Sequence, residues 1–272
     1  MNLDGTLGFL GFGNMGSAIA RGLLATGTAE AGQLAAYDPD PARQEDARGL
    51  GCAVFTDAAD LAHRARTLLV AVKPQQWREA STVPAAALLP NARVISIMAG
   101  VPIQALESVF GGSRAIIRVM PNTPAQRLAG AAALALNSAC GDTDRTVALG
   151  IFQAVGIAVV VEEAQLDAVT ALSGSGPAYF FFLTEQLIRA GIAEGLDPET
   201  ARILAIHTAL GAGRMLAESG EPPQVLREKV TSKGGTTFAA LETFRAGGFE
   251  DLVIRAVHAA AERSRELGGQ MK

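Results

Sequence analysis

Cysteine and lysine are scarce in this chain, and each scarcity removes a class of protein. The only cysteines, Cys52 and Cys140, lie far apart, with no CxxC pattern and no neighbouring metal ligands. A disulfide framework and a zinc site find no support, and reduced thiols of a cytoplasmic protein are expected. Lysine occurs only at positions 73, 229, 233 and 272, and the formal net charge of the 272 residues is −4. That balance offers no surface suited to nucleic acid or to an anionic membrane. His63, His207 and His258 all fall inside helical patterns without a partner motif. No Ser-His-Asp order, H-E-x-x-H or P-loop is present, so hydrolase and metalloenzyme readings have no support and no metal is expected. Apolar runs such as Leu68 to Val72 are far too short to span a bilayer. The chain enters a strand pattern by Leu7, with no basic or signal-like segment before it.

What is abundant is apolar surface: 49% of the residues are hydrophobic, enough for two domains with cores of their own. Thr6 to Leu10 reads as a short strand that meets Gly11-Phe12-Gly13-Asn14-Met15-Gly16. A helical pattern begins at Asn14 and stops near Gly27, and Gln33 to Tyr37 reads as a second strand ending at Asp38. This is G-x-G-x-x-G in the context that gives it meaning, with an acid about 20 residues past the last glycine. The glycines permit a tight turn and let backbone approach a pyrophosphate, which the helix N-terminus stabilises. A carboxylate at Asp38 accepts hydrogen bonds from a free ribose 2′-hydroxyl and repels a 2′-phosphate, which favours NADH. Arg43 reverses that preference if it pairs with the phosphate, and Asp38 has a second role open to it as a helix cap for Pro39 to Leu50.

Further short strands follow at Cys52 to Phe55, Thr67 to Val72, Arg93 to Met98, Ala115 to Val119, Ala131 to Leu136 and Ile157 to Val161. A helix over Thr56 to Arg66 is capped by Thr56, and another runs from about Asp142 to Val155. Lys73 and Pro74 stand at the carboxyl end of a strand, where open parallel sheets bind ligands; a solvated turn is the other reading of Lys73. The prolines of Met120-Pro121-Asn122-Thr123-Pro124 keep a helix from starting at once. Glu162 and Glu163 close the last strand, either as solvated charges or with one of them facing a cleft.

Beyond Asp167 no strand pattern survives. The run Asp167 to Tyr179 is helical but interrupted by Ser173-Gly174-Ser175-Gly176-Pro177, which reads as a kinked or broken helix or as an interdomain turn. Phe180, Phe181 and Phe182 are consecutive, so they cannot share one helix face, and their burial calls for a second subunit. Asp197-Pro198-Glu199-Thr200 opens a helix that ends near Gly220. The turn Val230-Thr231-Ser232-Lys233-Gly234-Gly235-Thr236-Thr237-Phe238 places paired glycines and hydroxyls before a helix, a setting that suits a carboxylate.

Together, G-F-L-G-F-G-N-M-G, A-V-K-P-Q, M-P-N-T-P, D-A-V-T-A-L-S-G-S-G-P-A-Y and V-T-S-K-G-G-T-T-F resemble the pyrroline-5-carboxylate reductase family over essentially the whole chain. The resemblance implies an α/β, Rossmann-type dinucleotide-binding domain (1–164) followed by an all-helical dimerisation and substrate-binding domain (165–272). It implies reduction of 1-pyrroline-5-carboxylate to L-proline by NADH or NADPH, in a homodimer and in many members a decamer. Leu10, Gly11, Phe12, Gly13, Asn14 and Met15 then hold the pyrophosphate and Asp38 stands at the 2′-position. Ala71, Val72, Lys73, Pro74 and Ala99 line the cofactor. Glu163, Ser232, Gly234, Gly235, Thr236 and Thr237 take the substrate, and Thr237 bonds the ring nitrogen as the catalytic residue. One departure is Lys233, where the family usually has proline: its loss loosens the turn, or the charge attracts the substrate carboxylate. A hydroxyacid or other imine reductase would share the first domain but carry a dedicated acid or lysine on the interdomain helix, and none is evident there. A dinucleotide sensor would bind NADH without turnover.

Overall fold

The structure, a computed structural model, describes residues 3–271. Its sheet is built from β1 (Leu7–Leu10), β2 (Leu34–Tyr37), β3 (Ala53–Val54), β4 (Thr67–Val70), β5 (Arg93–Ser96), β6 (Ile116–Met120), β7 (Gly130–Leu136) and β8 (Gly156–Val160). The strand order is β3-β2-β1-β4-β5-β6-β7-β8, parallel throughout except that β6 and β7 run antiparallel. Between strands lie α1 (Asn14–Ala25), α2 (Pro41–Gly49), α3 (Ala58–Arg64), α4 (Trp77–Ala87), α5 (Ile103–Phe110) and α6 (Asp142–Gln153).

β1, β4 and β5 are buried along their whole length, as strands covered on both faces must be. One apolar layer gathers Phe9, Ile19, Leu23, Leu34, Ile151 and Phe152. The other gathers Leu10, Leu61, Leu68, Val94, Leu106 and Ile116. Because the chain leaves β1 for β2 on one side and β4 lies on the other, the order reverses at β1. The crevice at the carboxyl ends of β1 and β4 is where such a sheet takes a ligand.

The remaining helices are α7 (Leu166–Val169), α8 (Gly176–Ala193), α9 (Pro198–Glu218), α10 (Pro223–Lys229), α11 (Thr236–Ala246) and α12 (Phe249–Gly269). The chain packs as two compact units: the first runs through Ser175 and takes back the residues from Ala260 on, and the second is Gly176–Ala259. The family resemblance implied the division 1–164 and 165–272. Packing assigns α7 and the end of α12 to the sheet, since Leu166 is buried in its second apolar layer. The second unit is almost without interior: among its described residues only Gly176 and Ala201 are buried.

Several local expectations change in the structure. Asp57, not Thr56, caps α3, accepting from Ala59 N at 2.7 Å. Asp40, not Asp38, caps α2. After β6 no α-helix starts: past Pro121 and Asn122 the chain makes only the 3₁₀ turn Thr123–Arg127 before β7. The helix at Asp167 to Tyr179 is widened rather than broken, with Thr170–Gly174 forming a single π turn.

Candidate active site

Each glycine of the first turn has a separate physical reason. Gly11 adopts φ +94°, and a Cβ there would lie 2.9 Å from the Ala71 carbonyl. A Cβ on Gly16 would lie 2.9 Å from the Gly11 carbonyl oxygen, so α1 can pack tightly on the turn only without one. Gly13 has no atom within 4 Å of its would-be Cβ, which leaves open space in front of the helix end. Gly13 is also the N-cap of α1 and no side chain caps that end, so the first N–H groups of the helix remain available to an anion.

A cleft beside this turn is lined by Gly11, Gly13, Asn14, Met15, Asp38, Pro39, Asp40, Arg43, Ala71, Val72, Lys73 and Gln76. Residues from three strand ends that are remote in sequence therefore meet in one place. Asp38 does more there than the sequence suggested. Its Oδ2 accepts the Phe12 N–H at 2.7 Å and its Oδ1 accepts the Asp40 N–H at 3.0 Å, so the acid also ties the glycine turn to β2. Arg43 reaches across to Asn14 Oδ1 at 3.4 Å while pairing with Asp46 at 3.3 Å. Leu10 and Phe12 are buried and contribute backbone to the turn. Pro74 and Ala99 line a second cavity of about 390 Å³, with Gly100, Thr170, Ser175 and Ser264 among its walls.

Glu163 is anchored inside the first unit. Its Oε1 accepts the Ile103 N–H at 2.7 Å, at the start of α5, and pairs with Arg118 Nη1 at 3.0 Å. Nothing local to Glu163 announces these partners, although an arginine inside the apolar strand I-I-R-V-M was a visible sign that an acid had to face it. Asp167, on α7, accepts a 2.6 Å hydrogen bond from Ser264.

The second unit holds the hydroxyl-rich turn. Gly234 takes φ +73°, a conformation that disfavours other residues, and Gly235 N–H donates to the Ser232 carbonyl at 3.0 Å. Gly235 then serves as N-cap of α11 with no side chain capping it, and Thr236 and Thr237 are the first helical residues. Lys233 is exposed on this turn. Ser232, Gly234, Gly235, Thr236 and Thr237 are thus brought together around an open helix N-terminus.

Fold and turn define an NAD(P)-type oxidoreductase with a dinucleotide-binding sheet and a separate helical unit. Residues 163–267 match the family described as pyrroline-5-carboxylate reductase dimerisation, and residues 6–100 match NADP oxidoreductase, coenzyme F420-dependent. The chain is 42% identical to the pyrroline-5-carboxylate reductase of Pseudomonas aeruginosa over 97% of both chains. It is 38% identical to that of Arabidopsis thaliana over 96% of this chain and 95% of the other. Among solved structures, a pyrroline-5-carboxylate reductase from Coxiella burnetii matches with a TM-score of 0.93 at 34% identity, covering 97% of this chain and 99% of that one. The Plasmodium falciparum pyrroline carboxylate reductase with NADP bound matches with a TM-score of 0.86 at 32% identity, covering 97% and 98%. The chain belongs to the pyrroline-5-carboxylate reductase family.

Proposed function

We propose that this chain reduces 1-pyrroline-5-carboxylate to L-proline, with NADH or NADPH as hydride donor. The observation that carries the reading is the uncapped N-terminus of α11, set behind Gly234 and Gly235 and beginning with two threonines. Of the N–H groups from Gly234 to Thr237, that of Gly235 is taken by the Ser232 carbonyl, and those of Gly234, Thr236 and Thr237 hold the substrate carboxylate, as helix ends hold anions. Thr237, the catalytic residue, hydrogen-bonds the ring nitrogen and orients it or relays its proton. Ser232 and Thr236 complete the polar wall, and Glu163 contributes through the oxygen not engaged by Ile103 and Arg118.

The reduced nicotinamide supplies the hydride when bound. A protonated imine is already electrophilic, so the protein's task is to orient it and exclude water. Leu10, Gly11, Phe12, Gly13, Asn14 and Met15 form the pyrophosphate cradle, whose open space at Gly13 suits the group. Asp38 faces the ribose 2′-position, and Ala71, Val72, Lys73, Pro74 and Ala99 extend the wall. Asp38 suits a free hydroxyl and Arg43, on the same cleft, suits a 2′-phosphate. The Plasmodium falciparum relative carries NADP, so both cofactors belong in the assay.

The active form is a homodimer, assembled further into a decamer, and the nearly coreless second unit supports self-association. We assign it to the cytoplasm on its two free thiols; no helix among the described residues is long and apolar enough to cross a membrane.

The test is oxidation of NADH and NADPH with pyrroline-5-carboxylate, beside a panel of hydroxyacids. Thr237→Ala is expected to lower kcat about 100-fold or more while leaving NADH affinity nearly intact. Unchanged turnover would remove Thr237 from the chemistry, and turnover only with hydroxyacids would remove the substrate assignment.

A further inference from the structure

Pro177 has no N–H, so the Ser173 carbonyl, four residues before it, lacks the donor an α-helix would provide. A part-buried carbonyl without a donor is costly, and of the two features found here only the second supplies one. The backbone widens, with Ser175 N–H donating to the Thr170 carbonyl at 2.8 Å, the i→i+5 bond of a π turn. A side chain also enters from the sheet: Asn122 Nδ2 donates to the Ser173 carbonyl at 3.0 Å.

Asn122 is built for this. It is 8% exposed, and its Oδ1 accepts the Ala131 N–H at 2.8 Å, so the amide is held at both ends. That pairing also fixes which end of the amide faces the helix, since the Ala131 N–H requires an oxygen. Two residues earlier, Met120 presses on the same turn: a Cβ on Gly174 would lie 2.4 Å from Met120 Cε. Met120 and Asn122, at the end of β6, therefore grip Ser173 and Gly174.

The grip matters because of what lies at either end of the π bond. Thr170 and Ser175 are wall residues of the cavity that Pro74 and Ala99 also line. Returning the turn to α geometry removes one residue from it and rotates one flank against the other by about 100°. Thr170 and Ser175 would then no longer share that wall.

We propose that Asn122 is a positioning residue for the reduction: by supplying the donor that Pro177 lacks, it holds Thr170–Gly174 in π register and keeps Thr170 and Ser175 on the cavity wall beside Pro74 and Ala99. The proposal rests on the reaction assigned above, in which Pro74 and Ala99 belong to the cofactor wall.

A double-mutant cycle of Asn122→Ala and Pro177→Ala tests it, reading Tm, kcat and cofactor KM. Asn122→Ala is expected to lower Tm and to reduce kcat about 10- to 100-fold, with cofactor KM changed far less. In the double variant the Ser173 carbonyl regains a backbone donor, so Tm recovers; the π register is no longer imposed, so kcat stays low. Recovery of Tm and kcat together would mean that Asn122 only satisfies a carbonyl, and the proposal falls. Should Asn122→Ala fail to fold, Asn122→Asp keeps the acceptor for Ala131 but turns an oxygen towards Ser173. Its kcat is expected to fall in the same range, and wild-type kcat would overturn the proposal. A wild-type chain inactive on pyrroline-5-carboxylate would sink the assigned reaction instead. The Tm coupling still decides the clamp in that case, and additive effects of the two substitutions would refute it.

Discussion

At the scale of single residues, the most constrained side chain lies away from the cofactor cleft. Arg93 opens β5 and is 1% exposed, yet it is charged. Burial alone would lower its pKa, but hydrogen bonds and charge from Asp4 and Asp144 raise it instead. Its guanidinium makes a bidentate pair with Asp4 at 2.6 and 2.7 Å, reaches Asp144 at 2.8 Å and meets Thr67 Oγ1 at 3.0 Å. Asp144 also accepts the Gly141 N–H at the start of α6, so one cation joins the N-terminal segment, β4, β5 and α6. The Arg93 hydrogen bond holds the Asp4 carboxyl below its ordinary 3.8, against a burial effect in the other direction. A depressed folded-state pKa contributes stability that is complete above the ordinary value and is lost as pH falls through the depressed one. Asp4→Asn is therefore expected to lower Tm at neutral pH and to approach wild-type Tm once the pH falls below the depressed pKa of Asp4, as scanning calorimetry at the two pH values would show. A constant gap across that range would assign the effect to packing. Cys52, by contrast, is a buried thiol, which burial pushes up to about 11, away from the reactive thiolate form.

At the scale of elements, the turn between β1 and α1 separates folding from binding. Gly11 and Gly16 are required by close backbone neighbours, whereas Gly13 faces open space. Gly13→Ala is thus expected to leave Tm within about 1 °C of wild type, as a surface change should. The added methyl intrudes where a pyrophosphate must approach backbone, so KM for either dinucleotide rises about tenfold or more. Normal KM values would place the pyrophosphate elsewhere. The turn before α11 follows the same logic, because the glycine at φ +73° sets the backbone and the threonines after it begin a helix that no side chain caps. These two glycine turns were readable from spacing and residue type alone. The π turn was readable only as a disturbance, since its donor, Asn122, comes from a strand end 51 residues away.

At the scale of the whole molecule, the second unit shows an apolar exterior that a lone chain cannot bury. Phe180, Phe181 and Phe182 are 67%, 69% and 64% exposed, and Leu204, Leu210 and Leu252 are exposed with them. Apolar surface on that scale marks an interface rather than a solvated face, in keeping with the match of residues 163–267 to a dimerisation family. Phe181→Asp is expected to shift the assembly towards monomer in light scattering and to reduce helical circular dichroism, because the second unit loses its shared core. An unchanged mass would show that the α8 face carrying Phe181 is not part of the interface.

Periodicity, chirality and spacing within short stretches specify the strands of the nucleotide-binding sheet, the glycine turn, the all-helical second half and the hydroxyl-rich turn, whereas the antiparallel pairing of β6 with β7 emerges only in the packed chain. Helix caps at Thr56 and Asp38 were misplaced for the opposite reason: neighbouring residues have nearly equal capping ability, and the backbone angles decide between them. Only the tertiary structure decided that Asp38 ties down Phe12, that Glu163 faces Arg118 and that Arg93 gathers two acids. Those partners lie 26, 45 and up to 89 residues apart. A charged or polar group in an apolar layer announces that it needs a partner, and only the packed chain specifies which one.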